Sequence, residues 1–543
     1  MQADLVLYNG NIYTMDQARP HAQAVAMVGN RIAAVGYDAQ IMCLLAPGGE
    51  AVDLGGRTVV PGLTDAHIHF VEYALRLTRI NLSGIVSRAE TVRRVAERAR
   101  TARPEEWLLG GGWDRNLWED ASFPTKEELD SVAPHNPVAL DSKDGHSLWA
   151  NSLALARAGI TAETHSPPGG EIERQPGTGE PTGILKETAK RLVKGVVEKP
   201  SLEAIQTALK VALANAQRAG LTGIHDCEDE RAFAAFRELE RNGELGLRVL
   251  MHIPVKNLDH AVGLGLRTGF GGEKLRVGGV KMFADGALGS RTAAMLASYQ
   301  DEPLNLGIAV TSKEEMRELV SKASRAGISA AIHAIGDRAN RDVLDILEEN
   351  RQSGEGRDLR HRIEHVQLLH PTDIPRLAKL GIIASMQPIH ATSDMDMVER
   401  HWGEERGRGA YAWRSLLDSG TALAFGSDCP VESFDPLAGI HAAATRRRSD
   451  GSPGPEGWHP EQRISVEDAV RAYTLGAAYA SGEERERGSI TPGKLADLVV
   501  LSQDIFVVPA MSILETEVEA TVFDGQFVYC REEFLRGGGT QGS

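Results

Sequence analysis

Residues 65–69 read Asp65-Ala66-His67-Ile68-His69, directly after the apolar-rich run Thr58-Val59-Val60-Pro61-Gly62-Leu63. On a strand, side chains two apart point to the same face, so His67 and His69 aim two imidazoles at one point. Two convergent imidazoles are ligands for a borderline metal such as Zn²⁺. The pair sits where a hydrophobic strand ends and a polar stretch begins, and the rest of the chain can be read outward from it.

Seven further short apolar runs follow after a long gap. They are 221–226, 247–253, 277–283, 328–333, 361–366, 382–386 and 422–428. Helical patterns separate several of them, for example over 313–326, and another over 466–480 follows the last. With the run that ends at His67 the strands number eight, and eight strands alternating with helices predict an α/β fold of the (β/α)8 TIM-barrel type. The gap, 71–215, is far longer than a strand-to-helix connection needs. It is read as a subdomain inserted after barrel strand 1, over the C-terminal mouth where such barrels bind substrates. Barrel and insertion together occupy 61–487.

Both ends of the chain read differently. Residues 3–13 give two short strands around Asn9-Gly10, and 24–36 give a hairpin around Gly29-Asn30. Near the other end, 496–501 read as a strand and 519–529 as a hairpin around Asp524-Gly525. Segments 1–60 and 488–535 are therefore expected to form one composite β-sandwich, with 536–543 as a disordered tail.

The 543 residues carry 59 basic and 75 acidic side chains, a formal charge of −16. That balance argues against a nucleic-acid or anionic-membrane partner. Arg446-Arg447-Arg448 is read as a solvated helix end. The four cysteines, Cys43, Cys227, Cys429 and Cys530, are scattered without a CxxC pair, so the reducing cytoplasm is the default. The first residues show no signal peptide, and no run approaches the ~20 apolar residues of a membrane span. The expected partner is a small-molecule substrate, and a homo-oligomer is compatible with the sequence.

The strand ends carry the chemistry. His67 and His69 end the first, Lys281 lies on the fourth, His333 ends the fifth, His365 the sixth and Asp428 the eighth. A free ammonium would repel a metal, but a buried lysine can be neutral and take up CO₂ as a carbamate. Its two oxygens would bridge two metals ~3.5–4 Å apart. His67, His69 and Asp428 would hold the first ion, and His333 and His365 the second. The bland alternatives are satisfied core histidines, a Lys281 that is a spectator or pairs with Asp285, and an Asp428 that caps a helix. Cys227 and Cys429, just past strand ends, read as small buried thiols, and His225 and His252 as structural or supporting residues.

With these positions stand GGWDRNLW (111–118), DGHSLWANS (144–152), PPGGEI (167–172), VKMFADGALGSR (280–291), HAIGDRAN (333–340), HRIEHVQ (361–367), FGSDCPVE (425–432) and GSITPGKLADLVVL (488–501). On these segments the chain resembles the amidohydrolase superfamily, in its YtcJ-like branch, which includes N-substituted formamide deformylase. The resemblance implies one or two divalent metals, usually zinc, and hydrolysis of an amide-type C–N bond in a non-peptide amide, formamide or N-acyl compound. Asp428 would accept a proton from metal-activated water and return it to the leaving nitrogen. His390 would support the carbonyl oxygen or the substrate. Arg291 and His146 are candidates for reading the substrate's polar ends. Trp113 either touches substrate or packs the insertion. Esters, lactones and cyclic amides are alternative substrates, and a non-catalytic regulator on the same scaffold is a further alternative.

Overall fold

The computed structural model describes residues 2–143, 146–532 and 534, so the expected tail at 536–543 lies outside the described residues. Eight parallel strands form one sheet: β1 (Leu63–Ile68), β2 (Leu221–Asp226), β3 (Arg248–Pro254), β4 (Leu275–Phe283), β5 (Ala330–Ala334), β6 (Arg362–His365), β7 (Ile383–Met386) and β8 (Leu423–Phe425). They pair in chain order, so each strand lies beside its predecessor. The seam between β8 and β1 is closed just beyond β8: the N–H of Asp428 donates to His67 O at 2.7 Å, and the N–H of His69 donates to Cys429 O at 2.8 Å. Gly426 makes that approach possible, because a Cβ there would stand 2.4 Å from the backbone nitrogen of His67. The result is a TIM-type barrel, and each strand falls within a few residues of the run that predicts it.

The connecting helices follow from their sequences. In Glu230–Arg241, the Asp229 carboxylate caps the N–H groups of Arg231 and Ala232. Ala232, Ala235, Phe236 and Leu239 recur at helical spacing and are the buried face. Burying Phe236 alone contributes roughly 1.5–3 kcal/mol. The run predicted as one helix over 466–480 is interrupted: Val466–Arg471 is α-helical, Ala472–Gly476 is a π turn, and Ala477–Ser481 resumes the α-helix.

The termini build two further sheets. One orders Arg31–Gly36, Ala24–Val28, Ala3–Tyr8 and Leu45–Asp53. The other orders Gln526–Cys530, Val518–Phe523, Leu498–Leu501, Thr58–Pro61, Asn11–Tyr13 and His21–Ala22. Leu5, Val25 and Ile32 from the first share a core with Val59, Leu498, Val500 and Val522 from the second. The strands flanking Asn9-Gly10 are not a hairpin, as the local turn signal suggested. Asn9 does adopt a left-handed φ of 55°, but Ala3–Tyr8 and Asn11–Tyr13 enter different sheets. Arg446 is also not a solvated helix end. It is 1% exposed, its guanidinium lies between the rings of Trp413 and Trp458, and it donates to Trp458 O and Tyr411 O.

By its internal contacts the chain falls into two compact units, 1–71 with 209–543, and 72–208. The second has its own six-stranded sheet, in the order Gly170–Arg174, Pro181–Glu187, Ser147–Ala150, Val138–Ser142, Leu108–Trp113 and Ile80–Asn81. Trp113, Trp118 and Trp149 pack together in its core. Among the described residues no helix is long and apolar enough to cross a membrane.

Candidate metal centre

His67, His69, Lys281, His333, His365, His390 and Asp428 come together at the carboxyl ends of the barrel strands. Nε2 of His67 and Nε2 of His69 stand 3.6 and 3.4 Å from Asp428 Oδ1, and Nε2 of His390 stands 3.4 Å from Asp428 Oδ2. Donor atoms of His67, His69 and Asp428 lie within 4.8 Å of one another, as do those of His365, His390 and Asp428. The rings of His333 and His365 are 4.5 Å apart between centroids, and those of His67 and His365 4.8 Å. Lys281 Nζ is 3.5 Å from His67 Nε2. It is 4% exposed, and among the described residues no carboxylate lies within ion-pair distance of it.

The backbone is bent to make this convergence. His365, the last residue of β6, has φ 75°, and Asp428, three residues past β8, has φ 60°. Non-glycine residues rarely occupy this region, and each costs of order 1–3 kcal/mol. The helix α1 (Pro388–His401) starts two residues after β7, with proline in its first turn, and delivers His390.

The donor set fits a divalent cation. Burial, with Lys281 nearby, pushes the His67 and His333 imidazoles down to about 4, and burial with its neighbouring histidines holds His365 well below the usual range. These rings are therefore neutral at pH 7 and offer lone pairs. Burial alone would raise the Asp428 carboxyl, but the surrounding imidazoles, His390 and His69 foremost, hold it far below the ordinary carboxylate range. Burial opposes charge on His390, yet the Asp428 carboxylate raises it. The nitrogens turned away from the cluster are occupied: His67 Nδ1 by Glu364 Oε2 at 2.6 Å, His365 Nδ1 by Gln387 Oε1 at 2.8 Å, and His333 Nε2 by Gly286 O at 3.0 Å. Anchoring of this kind orients imidazoles for coordination.

The other candidate residues make contacts of their own. Arg291 is paired with Asp301 and Glu302 at 3.2 and 2.9 Å. Trp113 and His146 belong to the second unit. Trp113 is 2% exposed and donates to Leu140 O, and it also borders a cleft of about 400 Å³ with Arg115, Phe123, Ser142 and Lys143. His146 Nδ1 lies 2.8 Å from Glu187 Oε1. Cys227 and Cys429 are buried, and neither is in a disulfide. Asp285 does not pair with Lys281. Its carboxylate accepts from the N–H groups of Ala294, Ile335 and Gly336, which ties the loop after β4 to the end of β5.

Several buried polar residues escaped the sequence reading. Glu364 and Arg362 lie inside the barrel, 2.6 Å apart, and Arg362 Nη1 is 2.9 Å from His225 Nδ1. Asp65 accepts from the N–H groups of His67 and Ser427. The signal for the first two was the two-residue spacing of Arg362 and Glu364, the same spacing that singled out His67 and His69.

Comparison with known proteins agrees with this geometry. The amidohydrolase family model matches residues 50–529. The chain is 37% identical to the LONG AFTER FAR-RED 3 protein of Arabidopsis thaliana, covering 92% of this chain and 87% of that one. It is 33% identical to the YtcJ protein of Bacillus subtilis, over 96% and 99% of the two chains. To the N-substituted formamide deformylase of Arthrobacter pascens it is 30% identical, over 97% and 98%. A crystal structure of an uncharacterized metal-dependent hydrolase from Pyrococcus furiosus superposes with a TM-score of 0.78 at 30% identity, covering 92% of this chain and 99% of that one.

Proposed function

Because this chain belongs to the amidohydrolase family of metal-dependent hydrolases, we propose that it hydrolyses a carbon–nitrogen bond in a non-peptide amide, formamide or N-acyl compound. The observation that carries the reading is the Asp428 carboxylate, which faces the Nε2 atoms of His67, His69 and His390 at 3.4–3.6 Å. His67, His69 and Asp428 would hold one zinc ion. His333, His365 and an N-carboxylated Lys281 would hold a second. A bound zinc ion supplies an activated water near neutral pH and polarises the carbonyl that is attacked.

The chain's own residues move the protons. Asp428 is ionised and set against the cluster, so one of its oxygens takes the proton of the attacking water. The same carboxyl then gives that proton to the nitrogen of the leaving amine, acting as base and then as acid. His390 Nε2, beside Oδ2, orients the carboxylate and supports the oxygen of the substrate carbonyl. The likeness to N-substituted formamide deformylase supports the choice of C–N bond.

The test is a panel of formyl and N-acyl amides, with matched esters, lactones and hydantoins, assayed with protein loaded with zinc and bicarbonate. Release of amine from the open-chain amides is expected. Turnover of only the esters, lactones or cyclic amides would move the assignment to those bonds.

A further inference from the structure

The reaction outlined above leaves a fully buried carboxylate of the barrel interior unused. Glu364 is fully buried, and it shares the inward face of β6 with Arg362, two residues before it. Its Oε2 is 2.6 Å from His67 Nδ1 and 3.0 Å from Arg362 Nη2, and its Oε1 is 2.6 Å from Arg362 Nε. Arg362 is anchored in turn. It donates to Ala66 O on β1 and to Ser385 Oγ on β7, and it faces His225 Nδ1 on β2. The carboxylate is thus held in place from four strands.

A buried ion pair seldom contributes net stability, and apolar residues of similar volume often serve as well or better. An Arg–Glu pair inside a barrel therefore calls for a reason other than stability. The chemistry of the contact supplies one. A carboxylate only accepts hydrogen bonds, so the His67 proton must sit on Nδ1 and the lone pair on Nε2. Nε2 is the atom that faces Asp428 Oδ1 and Lys281 Nζ. His365 differs, because its outward nitrogen meets the neutral oxygen of Gln387; the outward nitrogen of His333 meets Gly286 O at 3.0 Å, with the Asp285 carboxylate farther off at 3.7 Å.

We propose that Glu364 is a positioning residue: it locks His67 as the Nδ1–H tautomer and makes Nε2 the more basic ligand atom, with Arg362 as the strut that holds it. The proposal rests on the metal-centre reading of the preceding section.

Two variants of the full-length protein test it. Glu364→Gln removes the charge and keeps the shape, but its amide can also donate to Nδ1 and so permits the other tautomer. The paired Arg362→Met/Glu364→Gln variant removes both charges, so no buried guanidinium is left without its counter-ion. Zinc affinity is measured by competition with a chelating dye. The His67 tautomer is read in zinc-free protein by ¹⁵N NMR of labelled histidine, its signals assigned as those missing from His67→Asn. The wild type is expected to show Nδ1–H alone. The variants should show mixed tautomers and zinc affinity lower by about 10–100-fold. A variant that melts lower but keeps the wild-type affinity and tautomer would overturn the proposal and leave the pair as a tie between strands. If the wild type binds no zinc, the functional reading fails, and the NMR comparison still decides whether Glu364 controls His67.

Discussion

Lys281 is the side chain whose state the metal centre depends on most. It is buried on β4, 3.5 Å from an imidazole nitrogen, with no carboxylate partner among the described residues. As a bare ammonium it would oppose a cation, whereas as a carbamate it would join the ligands. Lys281→Ala is therefore expected to lose at least one equivalent of zinc in elemental analysis of protein loaded with zinc and bicarbonate. Full metal content and full activity in that variant would remove the carbamate from the scheme. His361 makes a separate prediction, about stability. Burial pushes its imidazole down to about 4, and its Nδ1 accepts the N–H of Ala330 at 3.1 Å. The unfolded chain titrates near 6.5, so between these values the unfolded state binds the extra proton. The stabilisation is complete above pH 6.5 and is lost as pH falls through about 4, a change on the order of 3 kcal/mol. His361→Asn keeps an acceptor for Ala330 and cannot titrate. Urea denaturation at pH 7 and pH 4.5 should show the variant losing less stability than the wild type; equal losses would mean that His361 is not held neutral.

Among the elements, the seam between β8 and β1 does most to build the site, because it joins the strand end carrying Asp428 to the one carrying His67 and His69. A Cβ at position 426 would meet His67 N at 2.4 Å and Asp65 Oδ1 at 2.6 Å, both fixed by other contacts. Gly426→Ala must therefore push the strands apart. Overpacking of this kind costs about 1–3 kcal/mol, and here it also displaces the donors facing Asp428. Lower thermal stability together with weaker zinc binding is expected, checked by calorimetry and dye competition; a variant with unchanged zinc affinity would show that the seam tolerates the shift. The elements also show what could be read from the chain. Barrel strands are short apolar runs with chemistry at one end, so each is visible by itself and the convergence of the histidines, Lys281 and Asp428 follows from counting them. Asn9-Gly10 misled because a turn signal is local, whereas the pairing of its flanking strands was decided by partners elsewhere in the sandwich. Arg446, Arg362 and Glu364 were hidden for a related reason. Charged side chains read as solvated unless the partners that offset their burial are known, and those partners are distant in sequence.

At the scale of the whole molecule, every residue of the metal cluster belongs to the unit formed by 1–71 and 209–543, and none to 72–208. The cluster draws on β1, β4, β5, β6, the start of α1 and the segment after β8, so a bound ion ties together parts of the chain more than 300 residues apart in sequence. A ligand that binds only the folded state stabilises it by RT ln(1 + [L]/Kd), about 4 kcal/mol at a thousandfold excess over Kd. Without the ion, the imidazoles and the bent backbone at His365 and Asp428 remain gathered with less to offset the cost. The second unit has its own sheet and its own tryptophan core, and none of the clustered residues named above is in it. Chelation should therefore loosen the chain unevenly. Hydrogen exchange read by mass spectrometry is expected to speed up after zinc removal in peptides covering 63–69, 361–367 and 423–429. Peptides covering 108–113 and 138–142 should exchange as before, and adding zinc back should restore the first group. If protection changed equally throughout, or in 108–142 alone, the cluster around Asp428 would not be where the stabilising ion binds.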